Sequence, residues 1–145
     1  MLEIINKYRN GKKVICCGSS KGATAALMFG ILCKADKIII GSPQYLIGDY
    51  LEENDFYLGV KRCICSEPNA TEILNAVLRD LVQKEEYLPK ICLLYSSKER
   101  HYSDQLSPLI KDLKTRGADL SLLDGEYLDH KDVAKYYPGY LKQNL

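Results

Sequence analysis

The chain has no tryptophan, two phenylalanines, two methionines, two histidines and five prolines among its 145 residues. No apolar stretch approaches the roughly 20 residues that a membrane-spanning helix needs. The opening MLEIINKYRNGKK lacks the apolar middle of a signal peptide. No excess of one charge exists either: 20 Lys and Arg stand against 19 Asp and Glu, so bulk electrostatics recruits neither nucleic acid nor an anionic membrane surface. Hydrophobic residues at 46% and charged residues at 27% exclude a disordered, collagen-like or coiled-coil chain. Repeats, low-complexity segments and linkers are missing too. The length matches a single domain over residues 1–145, and the chain reads as cytosolic.

Six cysteines are present, at 16, 17, 33, 63, 65 and 92. They fall mostly inside apolar runs, which favours small core residues over disulfides. Cys63 and Cys65 form a C-x-C with neither a C-x-x-C nor a nearby histidine to complete a zinc cage, so no metal is implied. Adjacent Cys16 and Cys17 point to opposite faces of an extended strand.

Leu2 to Arg9 has helical spacing and stops at Asn10-Gly11, and Val14 to Cys17 is a short unbroken apolar run. KGATAALMFGILC, from Lys21 to Cys33, is apolar nearly all round, as in a helix packed on every side. Lys37 to Ile40 and Ile91 to Tyr95 read as strands buried on both faces. Between them, Gln44 to Ser66 is irregular, with a short strand or loop helix around Val60 to Cys65. Asn69 and Glu72 have capping-box spacing ahead of an amphipathic helix that carries Ile73, Leu74, Val77, Leu78, Leu81 and Val82. Leu106, Leu109, Ile110 and Leu113 form another helix face, closed by Gly117, and Leu120 and Leu122 alternate with polar neighbours as in a half-buried edge strand. Strands alternating with helices need crossovers, so the fold class is α/β, with a mainly parallel sheet of about four to five strands covered by helices on both faces. In such sheets ligands sit at the carboxyl ends of the strands.

At the first of those ends lies Gly18-Ser19-Ser20-Lys21-Gly22, a G-x-S-x-G between strand and helix. A sharp turn there holds a serine in a strained conformation, with glycines letting neighbouring backbone pass, and the Lys21 N–H in the first helical turn can stabilise an oxyanion. A serine hydroxyl needs a base and an orienting acid. His130 follows the last strand and His101 the one before it. The acid comes from the loop after the penultimate strand, with Glu99 the first choice and Asp104 the second. Ser20, Glu99, His130 then gives the chain order nucleophile, acid, base. Gln44, Asp49, His101 and Tyr102 are candidate substrate contacts. Blander readings stand beside these: Ser20 as a helix cap, His130 paired with Asp129 or Asp132, Glu99 as a solvated charge, and the 11 tyrosines as loop packing rather than sugar stacking.

GSSKGATAAL, then IIIGSPQYLIGDYL, LLYSSKERHY and DHKDVAKYYPGYL, resemble the α/β-hydrolase-like proteins of bacterial capsular polysaccharide biosynthesis and of the accessory Sec secretion system, over most of the chain from Lys12 onward. The resemblance implies a truncated α/β-hydrolase-like fold, with Ser20, Glu99 and His130 at the nucleophile, acid and base positions. It also implies acyl chemistry on a glycan or glycoprotein, either O-acetyl transfer or ester hydrolysis, with no cofactor. Some relatives serve mainly as assembly factors, which keeps a catalytically silent role open. A phosphate-binding helix N-terminus is a third class, although the GK[ST] ending of a P-loop is missing. A complete hydrolase sheet has strands ahead of the nucleophile strand, so Val14 to Cys17 is expected at an edge, covered by a homodimer contact or by further sequence.

Overall fold

The computed structural model describes Leu2–Leu145. Its sheet has four parallel strands in the order β1 (Ile15–Ser19), β2 (Lys37–Gly41), β3 (Lys90–Tyr95) and β4 (Leu120–Asp124). Cys17, Ile39, Cys92 and Ser121 lie level across it. Helix α1 spans Leu2–Arg9 and α2 Lys21–Leu32; α3 (Ile47–Tyr50), α4 (Asp55–Ile64) and α5 (Ala70–Lys84) follow β2. Helix α6 (Ser107–Thr115) precedes β4, and α7 (Val133–Asn144) ends the chain.

Both faces of the sheet are covered, which is why the central strands are continuous apolar runs. On one face Ile38, Ile40, Ile91 and Leu93 pack against Leu27 and Ile31 of α2, Leu78 and Val82 of α5, and Leu109 and Leu113 of α6. On the other, Ile39, Cys92 and Leu94 pack against Val133, Tyr137 and Tyr140 of α7. The Tyr137 phenol donates to the Ile39 carbonyl at 2.7 Å, satisfying its one polar atom inside that layer.

Several sequence expectations need correction. Helix α2 is not enclosed: Ala23, Ala26, Leu27, Gly30 and Ile31 form one buried stripe, while Ala25 and Leu32 face out. Its uniform apolarity hid an ordinary one-sided burial. Of the two alternatives for Val60 to Cys65, the helix is the one that forms: the stretch from Gln44 to Ser66 contains α3 and α4 and no strand. Asn54 caps α4 by accepting from the Tyr57 N–H at 3.0 Å. Asn69 makes no side-chain cap to α5, so the capping box there does not form. Of the cysteines, 33 and 92 are buried and 16 and 65 partly so, but Cys17, on the other face of the edge strand, and Cys63, on the outer side of α4, are exposed; all six are free thiols. Gly117 closes α6 with φ +65°, as its position after the periodic run predicts. Strand β1 pairs only with β2, so its outer edge carries no strand among the described residues. None of their helices is long and apolar enough to cross a membrane.

Candidate active site

Four strand ends meet at one rim of the sheet, and backbone hydrogen bonds just beyond the strands tie them at one level. The Ser20 N–H donates to the Gly41 carbonyl at 2.7 Å, Ser42 to Leu94 at 2.9 Å and Gly125 to Tyr95 at 2.7 Å. Each of the loops that follow the strands contributes at least one polar group to a common centre.

Ser20 sits at φ 51°, ψ −125°, a strained region for a residue with a side chain. The turn is so tight that a Cβ on Gly18 would overlap the Gly22 carbonyl, whereas a Cβ on Gly22 would meet nothing within 4 Å. Only the first glycine of the G-x-S-x-G is therefore required by close approach. Lys21 opens α2, so its N–H is one of the helix's first donors, and the residue borders the same cleft as Ser20.

The three residues expected to form a nucleophile, base and acid are brought together. Ser20 Oγ lies 2.7 Å from His130 Nε2, and His130 Nδ1 lies 2.9 Å from Glu99 Oε2. Glu99 is 3% exposed, not a solvated charge between Lys98 and Arg100. A buried carboxylate needs donors on both oxygens. Its Oε1 accepts from Ser42 Oγ at 2.7 Å, and Ser42 Oγ lies 2.5 Å from the Tyr127 hydroxyl. Since the Ser42 proton goes to Glu99, Tyr127 is the donor to Ser42. Burial, first of all, and the nearby Glu99 and Asp124 push the Tyr127 phenol well above its ordinary range despite the Ser42 bond, so it remains protonated. The relay thus runs from Tyr127 through Ser42 to Glu99 and His130, and Glu99 fixes the proton on Nδ1, leaving Nε2 as the acceptor for Ser20.

His130 is presented by a braced loop. Asp129 Oδ1 accepts from the Lys131 N–H at 3.1 Å, capping the single turn His130–Asp132 that leads into α7. Ser96 Oγ donates to the Tyr127 carbonyl at 2.5 Å, which anchors the same loop to the end of β3.

Gln44 is at the centre too: its Nε2 lies 3.3 Å from both Ser20 Oγ and His130 Nε2. His101 stands edge-on to His130, with ring centroids 5.3 Å apart, and its Nδ1 is 3.1 Å from Glu53. Burial is the main influence and lowers its pKa below the ordinary histidine value; Glu53 opposes that shift, while Arg100 and His130 add to it. The remaining candidates lie elsewhere. Asp49 exchanges hydrogen bonds with Asn75 at 3.1 and 2.8 Å, tying α3 to α5. Tyr102 stacks on Tyr95 and packs against the core from a π-helical turn, Tyr102–Leu106. Asp104 accepts from Ser103 at 2.6 Å and is exposed, so it is not the acid facing His130. Sequence reasoning missed Ser42, Tyr127 and Thr24: Thr24 and Ser42 lie inside segments that carry the family resemblance but were given no role there, and Tyr127 lies in no such segment.

Two clefts open onto the centre. One, of about 510 Å³, has Ser20, Lys21 and Gln44 at its base and apolar walls from Ile47, Leu51, Phe56, Val60 and Ile64. The other, of about 690 Å³, is polar, bordered by His130, His101, Glu53, Arg100 and Asp129. Tyr50 and Tyr57 border both, their rings stacked at 5.3 Å. No group of three or more metal-ligating side chains occurs among the described residues.

No family model and no curated protein matches the chain. Solved structures do. The capsule O-acetyltransferase of Neisseria meningitidis serogroup A superposes with a TM-score of 0.76 at 19% identity, over 99% of this chain and 62% of its own. A chain of the glycosylation-associated Gap123 complex of Streptococcus agalactiae gives 0.74 at 17% identity, over 99% of this chain and 32% of its own. The fluorophosphonate-binding serine hydrolase FphF of Staphylococcus aureus gives 0.66 at 18% identity, over 98% and 60%. The chain has an α/β-hydrolase-like fold and spans about three fifths of the length of the capsule enzyme.

Proposed function

We propose that this chain performs serine-dependent acyl transfer, hydrolysing an acyl ester or passing the acyl group to a hydroxyl of a glycan or glycoconjugate. The observation that carries this reading is the unbroken hydrogen-bond chain from Ser20 through His130 to a buried Glu99. Ser20 Oγ attacks the acyl carbon as its proton passes to His130 Nε2, and the carbonyl electron pair moves onto oxygen, facing the Lys21 N–H. Collapse expels the leaving oxygen or sulfur, which takes the proton from His130. An acceptor hydroxyl, or water, then gives its proton to His130, attacks the acyl carbon and frees Ser20. Glu99 holds the imidazole in the required tautomer and balances its transient charge. No metal or organic cofactor enters these steps.

The two clefts suit the two halves of such a substrate: the apolar one an acyl chain, the polar one a hydroxyl-rich acceptor. Likeness to a capsule O-acetyltransferase supports a glycan as that acceptor. A second copy or a further segment against the outer edge of β1, and a cytoplasmic site of action, belong to the same reading. Likeness to a chain of the Gap123 complex favours one other role, a silent assembly factor in glycoprotein secretion. Labelling with a fluorophosphonate separates the two. An acyl-transfer protein labels at Ser20 and loses the label in Ser20→Ala; absence of label in the wild type supports the assembly role.

A further inference from the structure

We propose that the Gln44 side chain is the second donor to the oxyanion, completing with the Lys21 N–H a hole that helix α2 alone half-supplies; this rests on the acyl-transfer reading above. Preorganised donors act on charge only if they are aimed before the reaction starts. Gln44 is 6% exposed, and its amide is held at both ends. Thr24 Oγ1 accepts from the Gln44 backbone N–H at 2.9 Å, and its one proton is shared among Gln44 Oε1 at 3.1 Å, the Gln44 carbonyl at 3.2 Å and the Ser20 carbonyl at 3.4 Å.

The catalytic groups decide which way round the amide sits. With Nδ1–H committed to Glu99, His130 Nε2 carries a lone pair, and Ser20 has spent its proton on it. A flipped Gln44 would set its carbonyl oxygen against two lone-pair-bearing atoms, each 3.3 Å away. The NH₂ group therefore faces the reacting atoms, where one N–H rests on Ser20 Oγ. Lys21 and Gln44 also border the same apolar cleft, while His130 borders the polar one. Gln44 Nε2 itself stands beside the Ser20–His130 hydrogen bond, 3.3 Å from each end, within reach of an oxygen on the carbon that Ser20 Oγ attacks. A tetrahedral adduct places its leaving group toward the imidazole and its negative oxygen toward the N–H donors. When Ser20 Oγ becomes the ester oxygen it is a poorer acceptor, and the Gln44 N–H finds a better one in the charged oxygen on the adjacent carbon.

The test measures p-nitrophenyl ester turnover, fluorophosphonate labelling rate and affinity for an aryl boronate, which forms a tetrahedral anion on a serine. Gln44→Met removes both N–H donors, and Gln44→Glu keeps length and the Thr24 contact while replacing them with an anion. Each lowers kcat by about 10²–10³ with KM within threefold, and boronate affinity falls by the same factor as kcat/KM. Thr24→Val, which frees the amide to turn, gives a smaller kcat loss in the same direction and covers the case in which the Gln44 variants do not fold. The proposal is overturned if the wild type turns over while a folded Gln44→Met stays within threefold of it. It is equally overturned if only KM rises, or if boronate affinity does not change. A wild type that neither labels nor turns over instead overturns the triad reading and takes this one with it.

Discussion

Replacing Glu99 by glutamine tests the relay most severely, because the structure dictates how the new amide sits. Ser42 Oγ donates to Oε1 at 2.7 Å, so in Glu99→Gln the amide oxygen is held on the Ser42 side and the NH₂ turns toward His130. His130 Nδ1 must then accept, which moves the ring proton to Nε2, where it opposes the Ser20 hydroxyl. A histidine locked in the wrong tautomer costs serine proteases about 10⁴ in kcat, and the same loss is expected here. Removing Ser42 changes the sign. In Ser42→Ala/Glu99→Gln the amide is released to present oxygen to Nδ1–H while its NH₂ donates to the Tyr127 phenol, restoring the productive tautomer. Ser42→Ala alone removes a hydrogen bond to a buried carboxylate, a loss of about 1.5–3 kcal/mol in stability. Yet in the Glu99→Gln background it raises turnover at least tenfold. Esterase rates of the four proteins in a double-mutant cycle read this directly. A double variant slower than Glu99→Gln would refute the claim that Ser42 orients the acid.

Three further outcomes follow from the same geometry. Ser20→Gly and Ser20→Ala both lose the nucleophile, but glycine accepts φ 51°, so Ser20→Gly should be more stable than Ser20→Ala by about 1–3 kcal/mol in urea unfolding; a more stable alanine variant denies the strain. His101 is held below its ordinary pKa mainly by burial, so the folded protein disfavours its protonation relative to the unfolded chain; its contribution is intact above about pH 6.5 and declines as pH falls below that value. His101→Asn should remove that part of the acid-side decline when unfolding is followed between pH 7 and 5, and parallel curves would contradict the assignment. Lengthening the acyl group of a p-nitrophenyl ester from acetyl to hexanoyl should raise kcat/KM about fourfold per methylene as the chain fills the apolar cleft, and Val60→Trp should abolish the gain; a preference for acetyl in the wild type rules out an acyl-binding role for that cleft.

The parallel sheet was legible because burial on both faces leaves no room for polar residues: Ile38-Ile39-Ile40 and Ile91-Cys92-Leu93-Leu94 announce themselves. Once the strands are known, parallel order puts their carboxyl ends on one rim, so Ser20, Glu99 and His130 meet although 110 residues separate the first from the last. What was not legible has no local pattern. Helix α4 buries no residue: Phe56 is 75% exposed and Ile64 60%, so the apolar periodicity that reveals α5 has no core behind it. Helix α7 covers a whole sheet face with tyrosines and carries Pro138 in its interior, a composition that reads as a loop. Ser42 and Tyr127 matter only because Glu99 is buried between them. Asp49 and Asp104 look like site residues by position, but they are satisfied by Asn75 and Ser103.

The placement of strain and charge explains why this rim tolerates a costly arrangement. Two neighbouring loops hold non-glycine residues at positive φ, Ser20 at 51° and Ser42 at 43°, and beside them lies a carboxylate removed from water. Each opposes folding by about 1–3 kcal/mol or more if left alone. The ladder bonds from Ser20 N–H to Gly41 and from Ser42 N–H to Leu94 fall at these two strained residues, so sheet pairing enforces the backbone angles that local preference rejects. Enforcement in turn fixes both hydroxyls: one against His130, the other against Glu99. The strongest backbone restraint therefore acts where the side chains must be held most closely. Nothing comparable is needed at Lys21, whose proposed contribution is a backbone N–H that the start of helix α2 already orients.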